Sequence, residues 1–327
     1  MKKVFITDYV KYPDIEKDVF GSEIEVFCGE EEDEKKFDSY IYSADAVLVW
    51  HAKISEETIK QLKNCKVIVK YGTGYDNIDT EACKKYGIPV CNTPDYGVEE
   101  VCDTACAMIL SSIRQIFLYD HQAKYINTGW QTHNAEKVRR TSDHSLGIIG
   151  MGRMGTSVAL RMKAFGMQVG FFDPYLPSGY EKAIGVMRYE TLNEILKNSS
   201  IVTIHTPLTK ETNGIIDDEF INSLNEGTIL VNTARGKLIK NLDLILDGLE
   251  KGKISFVGLD VLPDEPPNSS EKLIQHWKNE KSVHAKKILI NPHSAYYSTK
   301  SWYEMRSKAA KNTYNVLCGL EPINSVG

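Results

Sequence analysis

No apolar run in this chain of 327 residues approaches the roughly 20 residues a membrane-spanning helix needs. The opening MKKVFITDYV breaks its apolar stretch at Asp8 and Lys11, before a secretory core could form. A soluble, cytoplasmic protein is therefore expected. Cationic excess is missing too: the formal net charge of -5 gives no general attraction to nucleic acid or anionic membrane. A small-molecule ligand is expected, with no nucleic acid bound directly and no membrane. The seven cysteines (Cys28, Cys65, Cys83, Cys91, Cys102, Cys106 and Cys318) are odd in number and contain no CxxC pair. That speaks against a disulfide framework and against a bound metal.

What is present is a hydrophobic fraction of 42%, enough for a large core and two domains. The chain is organised around SLGIIGMGRMG, residues 145 to 155. A short apolar run enters a glycine triplet at Gly150, Gly152 and Gly155, and a helix-like stretch leaves it. A dinucleotide diphosphate needs that spacing. The first glycine makes the turn, the second lets the phosphates approach the backbone, and the third lets helix pack on strand. A second strand, QVGFF, ends at Asp173, where a carboxylate can accept both ribose hydroxyls of an adenosine. Pro174, Tyr175, Leu176 and Pro177 follow, with no cation to meet a 2′-phosphate, so NAD is favoured over NADP.

Apolar runs alternate with helix-like segments along the whole chain. VFIT, EVF, AVLVW, VIVKY and IPVCN fall in the first hundred residues, which read as a small parallel α/β domain. Residues 98 to 126 predict one long helix with a continuous apolar stripe. IIG and VGFF, then IVTIH, TILVN, FVGLD and ILINP, make six further strands, the number of a full dinucleotide-binding sheet. Thr191 and Glu194 fit a capping box, and the last helix should stop at Gly319. Ligands of such sheets gather at the carboxyl ends of strands. The polar residues there are His205, Asn232 with Thr233 and Arg235, Asp260, Glu265 and His293. Singly, each histidine could be a cap or a core residue and Arg235 a solvated surface cation; together they form a constellation able to meet a nicotinamide.

These pieces, in this order, resemble the D-isomer-specific 2-hydroxyacid dehydrogenases. The resemblance rests on KYGTGYDNID, NTPDYGVEEV, GIIGMGRMG, HTPLTKET, VNTARG, GLDVLPDEPP and NPHSA. Within the family, NPHSAYYSTKSWYEMR and KVRR look most like the branch containing the C-terminal binding proteins, which are NAD-binding co-repressors. The resemblance implies a Rossmann doubly wound parallel sheet for NAD over residues 101–293. It also implies a smaller flavodoxin-like α/β substrate domain from residues 1–100 and 294–327. Arg235 would bind the carboxylate and carbonyl of a 2-oxo acid with its guanidinium fork. His293 would be the acid in reduction and the base in oxidation, and Glu265 would hold its ring and favour imidazolium.

The same resemblance assigns cofactor binding to Gly150, Gly152, Arg153, Met154, Gly155, Asp173, His205, Thr206, Pro207, Thr212, Thr233, Ala234, Arg235, Asp260 and His293. Substrate binding would fall to Lys70, Tyr71, Gly72, Thr73, Gly74, Arg235 and Tyr296, with N–H groups of the glycine loop facing the carboxylate. Tyr71, Tyr96, Trp130, Tyr296 and Tyr297 are aromatic candidates for the pocket, although packing is the commoner role of such residues. Glu265 argues against the formate dehydrogenase branch, where glutamine accompanies the histidine. Lys70 stands where many members have arginine, and Tyr296 where the co-repressors carry tryptophan. The expected activity is NAD-dependent reduction of a 2-oxo acid to the D-hydroxy acid by a homodimer built around residues 100 to 145. The alternatives are an NAD-sensing scaffold, weakened by the lack of a low-complexity or basic tail, and 3-phosphoglycerate dehydrogenase, which shares the GxGxDNID loop.

Overall fold

The computed structural model of the chain describes residues 1–125, 130 and 138–326. Part of the stretch expected to build a homodimer, and Lys137 of KVRR, lie outside the described residues. The chain divides into two compact units, Met1–Gly97 with Tyr297–Gly327, and Val98–Tyr296. Each is described by itself.

The first unit opens with β1 (Lys2–Ile6), β2 (Ile24–Cys28), β3 (Ala46–Val49), β4 (Val67–Lys70) and β5 (Val90–Cys91). These five pair in parallel in the order β5-β4-β3-β1-β2. They read as near-continuous apolar runs because both faces are covered: β3 and β4 are buried at every position. Phe5, Val47, Val49, Ile68 and Val90 join one core cluster with Ile41, Ile59 and Cys83.

The second unit holds β6 (Ser145–Ile149), β7 (Gln168–Phe172), β8 (Met187–Arg188), β9 (Ile201–Ile204), β10 (Thr228–Asn232), β11 (Ile254–Leu259) and β12 (Ile288–Ile290). All pair in parallel, in the order β12-β11-β10-β9-β6-β7-β8. This is the dinucleotide-binding order with a seventh strand, and it reverses between β6 and β9. Six of the strands are those the apolar runs predict; β8, two residues long, leaves no such run. Side chains alternate between two cores. Ile149, Val202, Ile204 and Leu230 point to one cluster, and Leu146, Ile148, Ile229 and Val231 to the other. Helices cover both faces, and the Leu192–Asn198 helix starts with the expected Thr191/Glu194 capping box.

One expectation is corrected. The long helix predicted from residue 98 is broken into Val98–Ile113 and Ile116–Tyr125, bent by 57°. Gln115 takes the left-handed conformation at φ 54°, and the Ser112 hydroxyl donates back to the Ile109 carbonyl at 2.7 Å. Serine back-bonding of this kind competes with the helical ladder and bends it. No single helix among the described residues is long and apolar enough to cross a membrane.

After the second unit the chain returns to the first with the Thr299–Leu317 helix and β13 (Ser325–Val326). Gly319 follows that helix at φ 87°, as a terminating glycine should. β13 pairs antiparallel with β5 and completes a six-stranded sheet.

Candidate active site

The loops after β6 and β9 meet at Gly150. It sits at φ 88°, and a Cβ there would lie 2.8 Å from backbone atoms of His205 and Thr206. Only glycine permits that approach and that conformation together. A Cβ on Gly155 would fall 2.1 Å from the Gly150 carbonyl oxygen, so the Arg153–Ala164 helix rests directly on the loop. Gly152 differs: among the described residues nothing lies within 4 Å of its missing Cβ, and no side chain caps the helix it begins. An open face beside uncapped N–H groups suits a diphosphate. Arg153 is exposed and Met154 half-buried at the same turn.

Asp173 follows β7 and is fixed against the loop. Its Oδ2 accepts the Met151 N–H at 2.9 Å and its Oδ1 the Tyr175 N–H at 3.0 Å. A carboxylate has about four acceptor sites, so capacity remains for ribose hydroxyls. Across the switch point, burial pushes the His205 ring down to about 4, which keeps it neutral, and its Nε2 lies 3.0 Å from the Thr203 hydroxyl. The Thr206 and Thr233 hydroxyls are buried and have no hydrogen-bond partner among the described residues. Such groups are rare in folded proteins and call for a ligand atom or a water. Both lie just past strand ends, Thr206 after β9 and Thr233 after β10. Thr212 donates to the Pro207 carbonyl at 2.6 Å and accepts the Thr209 N–H at 2.8 Å, closing its own turn. The open face at Gly152, the anchored Asp173 and the two orphaned hydroxyls together fit NAD.

The catalytic candidates stand on the ends of β10, β11 and β12. Asn232, fully buried, accepts the Ala234 N–H at 3.0 Å and donates to the Arg235 carbonyl at 2.9 Å. That amide shapes the turn presenting Arg235, whose Nη1 also donates to the Ala234 carbonyl at 2.8 Å. Asp260, 2% exposed, braces the last loop: its carboxylate accepts the N–H groups of Ser294 and Ala295 at 3.0 Å, and its carbonyl accepts that of His293 at 2.8 Å. Burial pushes the Asp260 carboxyl above its ordinary range, and those donors do not fully offset it. His293 itself is held at φ 51°.

The His293 ring pairs with Glu265, Nδ1 to Oε2, at 2.7 Å. The second oxygen, Oε1, accepts the Leu262 N–H at 2.8 Å. Because a carboxylate only accepts, Nδ1 is assigned as the donor and Nε2 is left for another partner. Burial pushes the Glu265 carboxyl up, but the His293 hydrogen bond and charge, the Leu262 N–H and the Arg235 charge together hold it below its ordinary range. The pair is therefore a carboxylate facing an oriented imidazole, half exposed.

The substrate residues expected in the first unit divide. Lys70 is buried and its ammonium donates to the Trp50 carbonyl. Tyr71 is 2% exposed and its hydroxyl donates to Glu16 at 2.8 Å. These two side chains are buried and hydrogen-bonded within the unit. Gly72, at φ 115°, gives its N–H to the Thr93 hydroxyl at 2.8 Å. Among the described residues, the N–H groups of Thr73 and Gly74 have no hydrogen-bond partner. Trp130 and Tyr297 are exposed, and Tyr296 is half-buried.

Residues 106–295 match the profile described as D-isomer specific 2-hydroxyacid dehydrogenase, NAD binding domain. The chain belongs to that family. It is 32% identical over 303 residues to C-terminal-binding protein 1 of Caenorhabditis elegans, covering 90% of this chain and 40% of that protein. It is 37% identical over 237 residues to D-3-phosphoglycerate dehydrogenase of Bacillus subtilis, covering 72% and 44%. The chain thus spans less than half the length of these curated relatives. Among solved structures it is similar to a D-lactate dehydrogenase from Aquifex aeolicus complexed with NAD and lactic acid, at 29% identity and TM-score 0.83, covering 97% and 96% of the two chains. It is also similar to a glyoxylate reductase from Paecilomyes thermophila, at 25% identity and TM-score 0.85, covering 99% and 98%.

Within this dehydrogenase fold, the sequence motifs and the structure agree that Arg235, Glu265 and His293 stand on successive strand ends of the NAD-binding unit. Sequence reasoning missed Gly236. A Cβ there would lie 1.9 Å from the Leu262 carbonyl, so the glycine allows the Arg235 turn to sit against the loop leading to Glu265. The glycine of TARG was its only signal.

Proposed function

We propose that this dehydrogenase reduces a 2-oxo acid to the D-2-hydroxy acid, reversibly and with NAD. The single observation carrying this reading is the 2.7 Å pairing of His293 with Glu265, with the Arg235 charge felt at the same carboxylate. Bound NADH supplies the hydride. Arg235 binds the substrate carboxylate and polarises the carbonyl. His293 Nε2 gives a proton to the carbonyl oxygen in reduction and takes it back in oxidation. Glu265 orients the ring and balances the positive charge that the proton brings. Thr206 and Thr233 offer their hydroxyls to the cofactor, and Asp173 accepts from its ribose.

The test is NADH oxidation, followed by absorbance, across 2-oxo acids from glyoxylate and pyruvate to branched, aromatic and phosphorylated ones. Fast turnover with one class supports the reading. The identity to C-terminal-binding protein 1 favours a second one, an NAD(H)-sensing scaffold. Tight NADH binding without turnover across the panel favours the scaffold and sinks the enzyme. Phosphorylated acids as the preferred class would instead point to 3-phosphoglycerate chemistry. We also propose a homodimer; a monomer by light scattering would contradict it.

A further inference from the structure

A hollow of about 410 Å³ opens in the larger unit, between the loops that follow the neighbouring strands β9, β10 and β11. That volume falls within the roughly 300–1,000 Å³ of small-molecule sites. None of the residues lining it is assigned above to the cofactor, the acid or the proton.

Backbone contacts hold its walls. Gly214 donates its N–H to the Lys237 carbonyl at 2.9 Å, Ile216 to the Leu238 carbonyl at 2.9 Å, and Lys240 to the Ile216 carbonyl at 3.1 Å. The third loop is fixed at Gly236, whose missing Cβ would lie 2.5 Å from the Pro263 nitrogen. The loops are therefore stitched to one another by main chain, and the space between them does not depend on flexible side chains.

Asn213, Asp217, Lys237, Lys240 and Asp264 supply the polar lining. Two lysines and two aspartates balance, so the lining has no net formal charge. Two of the four charges are engaged. Asp217 caps the Asp218–Ser223 helix, its Oδ1 accepting the Phe220 N–H at 3.0 Å, and the Lys240 ammonium lies 3.6 Å from Asp218. The Lys237 ammonium, the Asp264 carboxylate and the Asn213 side-chain amide have no hydrogen bond or ion pair among the described residues. Lys237 and Asp264 thus carry opposite charges on two loops of one hollow without pairing with each other. Further acid lies on the Asp264 side, where Glu271 feels the charges of Asp264 and Asp243; the cation beside them, Lys272, is 3.9 Å from Asp243.

We propose that this hollow binds a zwitterionic α-amino acid. Lys237 and the Asn213 amide hold its carboxylate, and Asp264 holds its ammonium. A ligand of one sign satisfies one wall and is repelled by the other. Both charged residues are exposed, so water screens each contact and its contribution is severalfold rather than orders of magnitude. Lys237 comes two residues after Arg235, and Asp264 directly precedes Glu265. An amino acid joining them ties the Arg235 turn to the Glu265 loop. Any effect of that tie on turnover rests on the proposed hydride transfer, whereas the binding does not.

Calorimetric titration of the full chain with glycine, L-serine, L-valine and L-methionine tests this. Each is run beside its N-acetyl derivative, which lacks the ammonium, and its α-amide, which lacks the carboxylate. Saturable binding of at least one free amino acid is expected, without measurable binding of its two derivatives. Lys237→Gln and Asp264→Asn should each weaken that binding roughly threefold to tenfold. Unchanged NADH affinity in both variants checks that they are folded. Arg235→Ala should bind the amino acid as wild type does. Failure of all four amino acids to bind would overturn the proposal, as would equal binding of either derivative. So would full binding by the Lys237→Gln/Asp264→Asn double variant, or loss of binding in Arg235→Ala, which would put the ligand at the 2-oxo acid site instead.

Discussion

A Cβ at position 236 would lie 1.9 Å from the carbonyl of Leu262, so the turn that presents Arg235 and the loop that leads to Glu265 touch backbone to backbone. Neither can shift aside as a flexible side chain would. Gly236→Ala should therefore separate the two loops, lower kcat by orders of magnitude and destabilise the protein by about 1–3 kcal/mol. Steady-state rates and urea unfolding check both. Wild-type activity in the variant would mean that this contact does not position Arg235.

The orphaned hydroxyls of Thr206 and Thr233 make an unusual prediction. A buried polar group serving only the fold loses stability when removed, whereas one awaiting a ligand does not. Thr233→Val should leave the cofactor-free protein as stable as wild type, or more stable by about 1 kcal/mol. Its NADH affinity should fall about threefold to tenfold, as expected for one hydrogen bond. Loss of stability with unchanged affinity would give the hydroxyl a structural role.

His205 sets a pH dependence whose sign is fixed. Burial lowers the folded ring from 6.5 to about 4, so the unfolded chain takes up the proton first as pH falls. Its contribution is full above about pH 6.5 and is lost progressively toward pH 4. Glu265, held below its ordinary carboxyl range, works in the same direction at lower pH: its contribution is present above the unfolded value and lost as pH falls through the folded one. Melting temperatures from pH 7 to pH 5 should fall less steeply in His205→Gln than in wild type. Equal slopes would mean that the ring protonates as readily folded as unfolded.

Much of this was legible because certain residues report backbone requirements directly. Gly150, Gly152 and Gly155 each mark a place where a Cβ is either impossible or would obstruct a ligand, and the structure shows two impossibilities and one open face. Glu265 and His293 were legible as residues just past strands β11 and β12. Side-chain partners distant in sequence were not. Tyr71 bonds Glu16, 55 residues away, and nothing local announces that partner. Asn232 and Asp260 were seen as polar residues at strand ends, but their bracing of the Arg235 turn and the His293 loop depends on how those loops fold back. The break at Gln115 has no glycine or proline to announce it, and β8 is too short to show a period.

The most direct test of the proposed chemistry pairs turnover with cofactor affinity in Arg235→Ala and His293→Ala, using the best 2-oxo acid from the panel. The account predicts that each variant loses several orders of magnitude in kcat/KM while its NADH dissociation constant stays near wild type. Variants that bind NADH normally and still turn over at the wild-type rate would contradict it, because hydride transfer would then proceed without the groups assigned to bind the acid and move its proton.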